Sequence, residues 1–254
     1  MLGTSATSGT TARCSCDCKC SNYIFWLGLD SSYIFLLVRS AVRAQANPAY
    51  VSELLAAHRC RGQRELIISR TCWSECFSSQ APLTQVMPSL TISDLLPALL
   101  EQDDAGYEFA VPSEVDVDGR EVHLDSGERS IAHVLERQAQ HGDCPILVLD
   151  DEDAFDALFH RVVTGHSSIL PVNSLAFVRK LFDCGAFEEV DVVRICDHVR
   201  DDLGGDRQAF MSSRKRVRKQ RSLDELLTHV GSTLAERPTG TPSRPALRIG
   251  GAVE

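Results

Sequence analysis

Residues 145–151 read Pro-Ile-Leu-Val-Leu-Asp-Asp, and no other stretch constrains the fold so strongly. An unbroken apolar run of this length suits a parallel strand buried on both faces, which requires helices above and below it. Asp150 and Asp151 close the run. They therefore stand at the carboxyl end of a buried strand, where open α/β sheets bind their ligands. Just upstream, Ile131, Val134 and Leu135 recur at helical spacing, with Asp125 and Glu128 at the mouth of that helix and Gly142 as its stop.

The rest of the chain can carry such a sheet. At 254 residues, with 43% hydrophobic and 24% charged residues, it has the composition of a soluble globular protein with one good-sized core and tails. A net charge of −9 argues against coating nucleic acid by bulk electrostatics and leaves phosphate contacts to a local basic patch. Of the ten cysteines, Cys60, Cys72, Cys76, Cys144, Cys184 and Cys196 follow no disulfide spacing, so they read as reduced core thiols of a cytoplasmic protein. The apolar stretch 23–38 is interrupted by Gly28, Asp30, Ser31 and Ser32 and is short for a span of about 20 residues, so no membrane insertion is expected.

In chain order, residues 1–22 are rich in Ser, Thr and Gly and end in C-S-C-D-C-K-C, which reads as a disordered tail rather than a soft-metal site. Y-I-F-W-L-G-L-D at 23–30 is a strand ending in an acid, followed by two serines and a new helix. Asp30 suits a helix cap and a functional acid equally. Pro48 opens a helix running through Leu54, Leu55 and His58; residues 65–69 form a strand, and residues 70–77 a helix carrying Glu75. Thr91 to Asp94 cap a helix containing Leu95, Leu96, Leu99 and Leu100, and residues 107–111 alternate like an exposed strand. Residues 167–170 read as a strand, and Asn173 caps a helix with Leu175, Val178, Leu181 and Phe182 inward, stopped at Gly185. Residues 190–203 make the last core helix. A basic run, R-K-R-V-R-K-Q-R at 214–221, precedes a short helix over 223–234, and residues 237–254 read as disordered.

L-D-S-G-E-R-S-I-A at 124–132, a helix, and I-L-V-L-D-D-E-D-A at 146–154 together resemble the second half of a PIN-domain nuclease, in the branch with an L-D-x-G-E box and a D-D pair. The strand, acid, hydroxyl and helix order at 23–38 is similar to the opening of that family, Glu75 falls where it carries a glutamate, and N-S-L-A-F-V-R-K-L-F-D-C-G-A-F at 173–187 fits the same branch. The resemblance covers about residues 23–200 and is weak over 78–121, which read as an insertion serving as a lid or a partner surface.

The resemblance implies an α/β fold: a three-layer α/β/α PIN-like domain over 23–203 with a mainly parallel central sheet. It implies a Mg- or Mn-dependent endoribonuclease with catalytic Asp30, Glu75, Asp125 and Asp151, and metal ligands drawn from Asp30, Asp125, Glu128, Asp150 and Asp151. Such enzymes are often the toxin of a toxin–antitoxin pair, so RNA, an antitoxin-like partner and a homodimer enter as expectations. Hydrolysing a phosphodiester needs an activated water and charge neutralisation on the leaving oxygen, which magnesium or manganese held by a few carboxylates supplies. The blander reading is that Asp125 and Glu128 form a capping box needing no metal, and that Asp150 is simply solvated. Arg214, Lys215, Arg216 and Arg218 either grip a phosphate backbone or form a solvated helix face beside an acidic domain. The rival from another class is a PIN-like module that binds RNA or protein without turnover. No G-x-x-x-x-G-K-[ST] loop and no Ser–His or Cys–His arrangement stands out.

Overall fold

The computed structural model describes residues 25–58, 64–78, 83–95, 100–102, 114–115, 121–122, 125–139, 145–205 and 211–236. The two tails, the cysteine run at 14–20, Cys60, Cys144, the strand expected at 107–111 and the stop at Gly142 lie outside them.

Five segments pair into one sheet: β1 (Phe25–Leu29), β2 (Arg64–Ser69), β3 (Leu100–Gln102), β6 (Ile146–Leu149) and β7 (Leu170–Asn173), in the order β3-β2-β1-β6-β7. Every pairing is parallel, with Leu27 opposite both Leu66 and Ile146. A small antiparallel pair, β4 (Glu114–Val115) with β5 (Glu121–Val122), forms a second sheet beside residues 152–163. The helices are α1 (Ser31–Arg43), α2 (Pro48–Ala57), α3 (Arg70–Ser78), α4 (Leu83–Val86), α5 (Ile92–Leu95), α6 (Ser126–Ala139), α7 (Glu152–Val163), α8 (Ser174–Asp183), α9 (Glu189–Gly204) and α10 (Ser213–Glu236).

Helices cover both faces of the sheet. On one face α6 crosses β1, β2 and β6, and it comes so close that a β-carbon on Gly28 would lie 2.6 Å from Leu135 Cδ1 and 3.2 Å from Ile131 Cγ1. Glycine is what permits that approach. Leu27 and Leu29 point to the opposite face, where α1 and α8 pack with α9 against them, and both are buried. This is the α/β class expected from the apolar run at 146–149.

β1 is the hinge of the topology. From it the chain moves outward through β2 to β3 on one side, then returns to build β6 and β7 on the other. Asp30, which directly follows β1, thus occupies the crevice where the strand order reverses.

Three elements differ from expectation. The strand expected at 167–170 is Leu170–Asn173, because Pro171 reads as a breaker but is tolerated in a strand at the sheet edge. Leu100, expected on a helix, belongs to β3, so the stretch 78–121 contributes the outer strand beside β2. The short helix expected at 223–234 begins ten residues earlier and takes in the basic run, with Ser212 Oγ accepting from Lys215 N–H. Leu223, Leu226 and Val230 are buried against α8 and α9, so this helix completes the core instead of lying outside it.

Candidate active site

Asp30 is 3% exposed and ties the two central strands together. Its backbone N–H donates to Val148 O of β6, and its carboxylate caps α1 by accepting from Ser32 N–H at 3.0 Å. Ser32 Oγ donates a short hydrogen bond to the same carboxylate while accepting from Asp150 N–H at 3.0 Å. One hydroxyl therefore joins the acid after β1 to the acids after β6. The neighbouring hydroxyl, Ser31 Oγ, donates to Glu75 Oε2 at 2.7 Å and brings the α3 glutamate to the same edge.

Asp125 and Glu128 arrive from the other side. They form a capping box at the start of α6: Glu128 N–H donates to Asp125 Oδ1 at 3.0 Å, and Asp125 N–H donates to Glu128 Oε2 at 3.1 Å. Two residues absent from the expected site connect this box to the rest. The Cys72 thiol lies 3.7 Å from Asp30 Oδ1 and 3.2 Å from Gly127 O, and a β-carbon on Gly127 would fall 2.5 Å from Glu75 Oε2. Below them, the buried hydroxyls of Ser69 and Ser130 pair at 2.5 Å, and Ser130 donates to Gly127 O.

Asp30, Glu75, Asp125 and Glu128 thus gather at the carboxyl end of β1 and β2, and their electrostatics show it. Burial drives the Asp30 carboxyl above its ordinary range and the Asp125 charge adds to it, against the pull of the Ser32 donors. Burial likewise raises Glu75, against the Ser31 hydrogen bond, with the Asp125 and Asp30 charges contributing. Glu128 is pushed to about 9, chiefly by burial and then by the charges of Asp125, Asp30 and Asp151. The Cys72 thiol is raised well above the usual thiol range by burial and the nearby Asp30, so it stays protonated and able to donate.

The acids after β6 are neutralised by α10. Asp151 caps α7 through Asp153 N–H and Ala154 N–H, and its other oxygen takes Lys215 Nζ at 2.9 Å. Burial opposes its ionisation, but the Ala154 and Asp153 amides with the Lys215 ammonium outweigh it and hold its pKa below the ordinary value. Lys215 also meets Asp153 at 3.0 Å, Lys219 meets Asp150 at 2.7 Å, and Arg218 and Arg214 meet Asp156. Four cations of the basic run face the protein's own acids.

As a donor set, hard carboxylate oxygens suit magnesium or manganese. In the arrangement described, however, no three His, Cys, Asp or Glu side chains among the described residues stand together closely enough to hold an ion. The reasons are visible: Asp150 and Asp151 are turned to lysines, and Asp125 and Glu128 to each other's amides. Among the described residues no helix is long and apolar enough to cross a membrane.

No protein-family model, curated protein or solved structure matched this chain when compared with it.

Proposed function

We propose that the chain is a PIN-like nuclease that hydrolyses RNA phosphodiester bonds with a divalent cation, magnesium or manganese. The observation that carries this reading is the meeting of Asp30, Glu75, Asp125 and Glu128, from three separate chain segments, at the switch point of a parallel sheet. Like charges gathered in a partly buried place are unfavourable by themselves, and such groupings concentrate at functional sites. The cation would neutralise the leaving oxygen and lower the pKa of a bound water.

The chain's own residues have separable tasks in this reading. Asp30, Glu75 and Asp125, with Asp151 once Lys215 has withdrawn, supply the carboxylate oxygens. Ser31 and Ser32 hold Glu75 and Asp30 in place by hydrogen bonds from their hydroxyls. The capping box fixes Asp125 relative to α6, so acting as a cap and lending an oxygen to a cation are compatible roles. RNA as the substrate and an antitoxin-like partner belong to the same reading through the resemblance of the two acidic boxes.

A second reading, a PIN-like module that binds RNA without cleaving it, is favoured by the Lys215 and Lys219 ion pairs, which satisfy two of the acids with no cation. The test is cleavage of single-stranded RNA by the full chain with manganese or magnesium, beside Asp30→Asn and Glu75→Gln. Loss of about 100-fold or more in both variants is expected, since each removes charge stabilisation at the reacting phosphate. RNA binding without any cleavage by the parent chain would favour the module instead, and cleavage undiminished in both variants would remove the acids from the reaction.

A further inference from the structure

The 24-residue helix α10 is held in two different ways along its length. Its second half is seated by Leu223, Leu226 and Val230, all buried at 0–5% exposure against α8 and α9. Its first half has no such seam: over residues 213–222 the one apolar side chain is Val217, 67% exposed, although Met211 just before the helix is partly buried. Instead, Arg214 and Arg218 form one i, i+4 row and Lys215 and Lys219 the next. These rows meet Asp156 and Asp150, Asp151 and Asp153 respectively.

We propose that the first half of α10 is a cationic latch: its lysines occupy carboxylate oxygens of the candidate active site in the resting protein and are displaced when a divalent cation binds. The proposal rests on the metal-dependent reading above and names how that site is regulated. Its basis is that Lys215 Nζ and Lys219 Nζ touch Asp151 Oδ2 and Asp150 Oδ2 directly, so ammonium and metal compete for the same atoms. The Lys215–Asp151 pair, with side chains 31% and 38% exposed, is of the weak and exchangeable kind, the Lys219–Asp150 pair is more shielded and must be displaced by the metal itself, and the apolar seam from Leu223 onward keeps the released segment tethered. Competition of this kind is reciprocal. If the latch weakens cation binding, the cation must weaken the latch by the same factor.

The test uses the full chain with manganese ion as the probe, reading its dissociation constant and the hydrogen exchange of amides in 213–222 against 223–236. Added manganese is expected to speed exchange of 213–222 about tenfold while leaving 223–236 protected, and K215Q/K219Q is expected to bind manganese about tenfold more tightly than the parent. Asp156→Asn, which loosens Arg214 and Arg218 without touching a proposed ligand or either lysine, should shift both readouts the same way by less. It also serves if K215Q/K219Q fails to fold. Manganese binding to parent and variants with one affinity, and without change in exchange over 213–222, would overturn the latch and leave the metal site standing. Failure of every chain to bind manganese at millimolar concentration would instead overturn the metal reading and the latch with it.

Discussion

The carboxylate of Glu75 rests against the Cα of Gly127: a β-carbon built at Gly127 would lie 2.5 Å from Oε2 and 2.6 Å from Oε1. The glycine of the L-D-S-G-E segment thus leaves room for an acid from a helix some fifty residues earlier in the chain. Gly127→Ala should expel that carboxylate and break its hydrogen bond with Ser31. Because the clashing atoms end a flexible side chain, stability should change by less than about 1 kcal/mol, while RNA cleavage falls at least about tenfold. Unaltered cleavage by a well-folded Gly127→Ala chain would show that Glu75 need not stand there.

Asp125→Asn separates charge from capping. Asparagine caps a helix as well as aspartate, so α6 keeps its first turn, while the charge that raises Asp30, Glu75 and Glu128 disappears. In chelator, the variant should melt about 2–4 °C above the parent, the shift that roughly 1 kcal/mol makes in a chain of this size. With manganese the parent should gain stability by linkage and the variant little. An equal gain in both would take Asp125 out of the site.

Much of this site was legible because its acids sit at places that local chemistry defines. The run at 146–149 announces a buried parallel strand, so Asp150 and Asp151 must close it, and Asp30 closes another apolar run just ahead of two serines. Asp125 and Glu128 stand three apart at the head of an amphipathic helix. The capping box that stood as the blander reading of that spacing is present. What sequence could not supply was contact across distance. Gly127 lies against Glu75, Cys72 reaches Asp30 and Gly127 from 42 and 55 positions away, and Ser32 meets Asp150 across 118 positions. No local spacing encodes such pairs. The partners of the basic run were hidden for the same reason: R-K-R-V-R-K-Q-R reads as a helix face beside an acidic domain, but nothing local pairs it with Asp150, Asp151, Asp153 and Asp156.

Glu128 should make stability depend on pH. Its folded-state pKa of about 9 stands above the ordinary 4.5, so the protonated acid is favoured by folding. That contribution is complete below about pH 4.5 and is lost as pH rises through about 9. Glu128→Gln keeps an oxygen for the Asp125 amide and cannot ionise. Measured in chelator, its melting temperature should match the parent near pH 4.5 and exceed it by a growing margin towards pH 9. Parallel curves across that range would mean that Glu128 carries its charge in the folded protein at little cost.

The four cations of α10 should not contribute equally, because their partners differ in exposure. Lys219 and Asp150 meet at 2.7 Å with side chains 13% and 19% exposed, whereas Lys215 and Asp151 are 31% and 38% exposed. Removing one member of the better-shielded pair strands a charge in a place poor in water, which costs more than the pair itself contributes. Lys219→Met should therefore destabilise the chain by about 1–3 kcal/mol, and adding Asp150→Asn should restore much of the loss. Lys215→Met should cost under about 1 kcal/mol, because exposed pairs exchange readily with water. Added salt should shrink the Lys215 effect first, since screening acts most on charges that solvent reaches. Chemical denaturation of the parent, Lys219→Met, Asp150→Asn and their double variant at low and high salt forms a double-mutant cycle, and Lys215→Met is measured beside it. If the two lysines prove equally cheap to remove and Asp150→Asn restores nothing, the ion pairs hold no part of the helix, and α10 is seated by Leu223, Leu226 and Val230 alone.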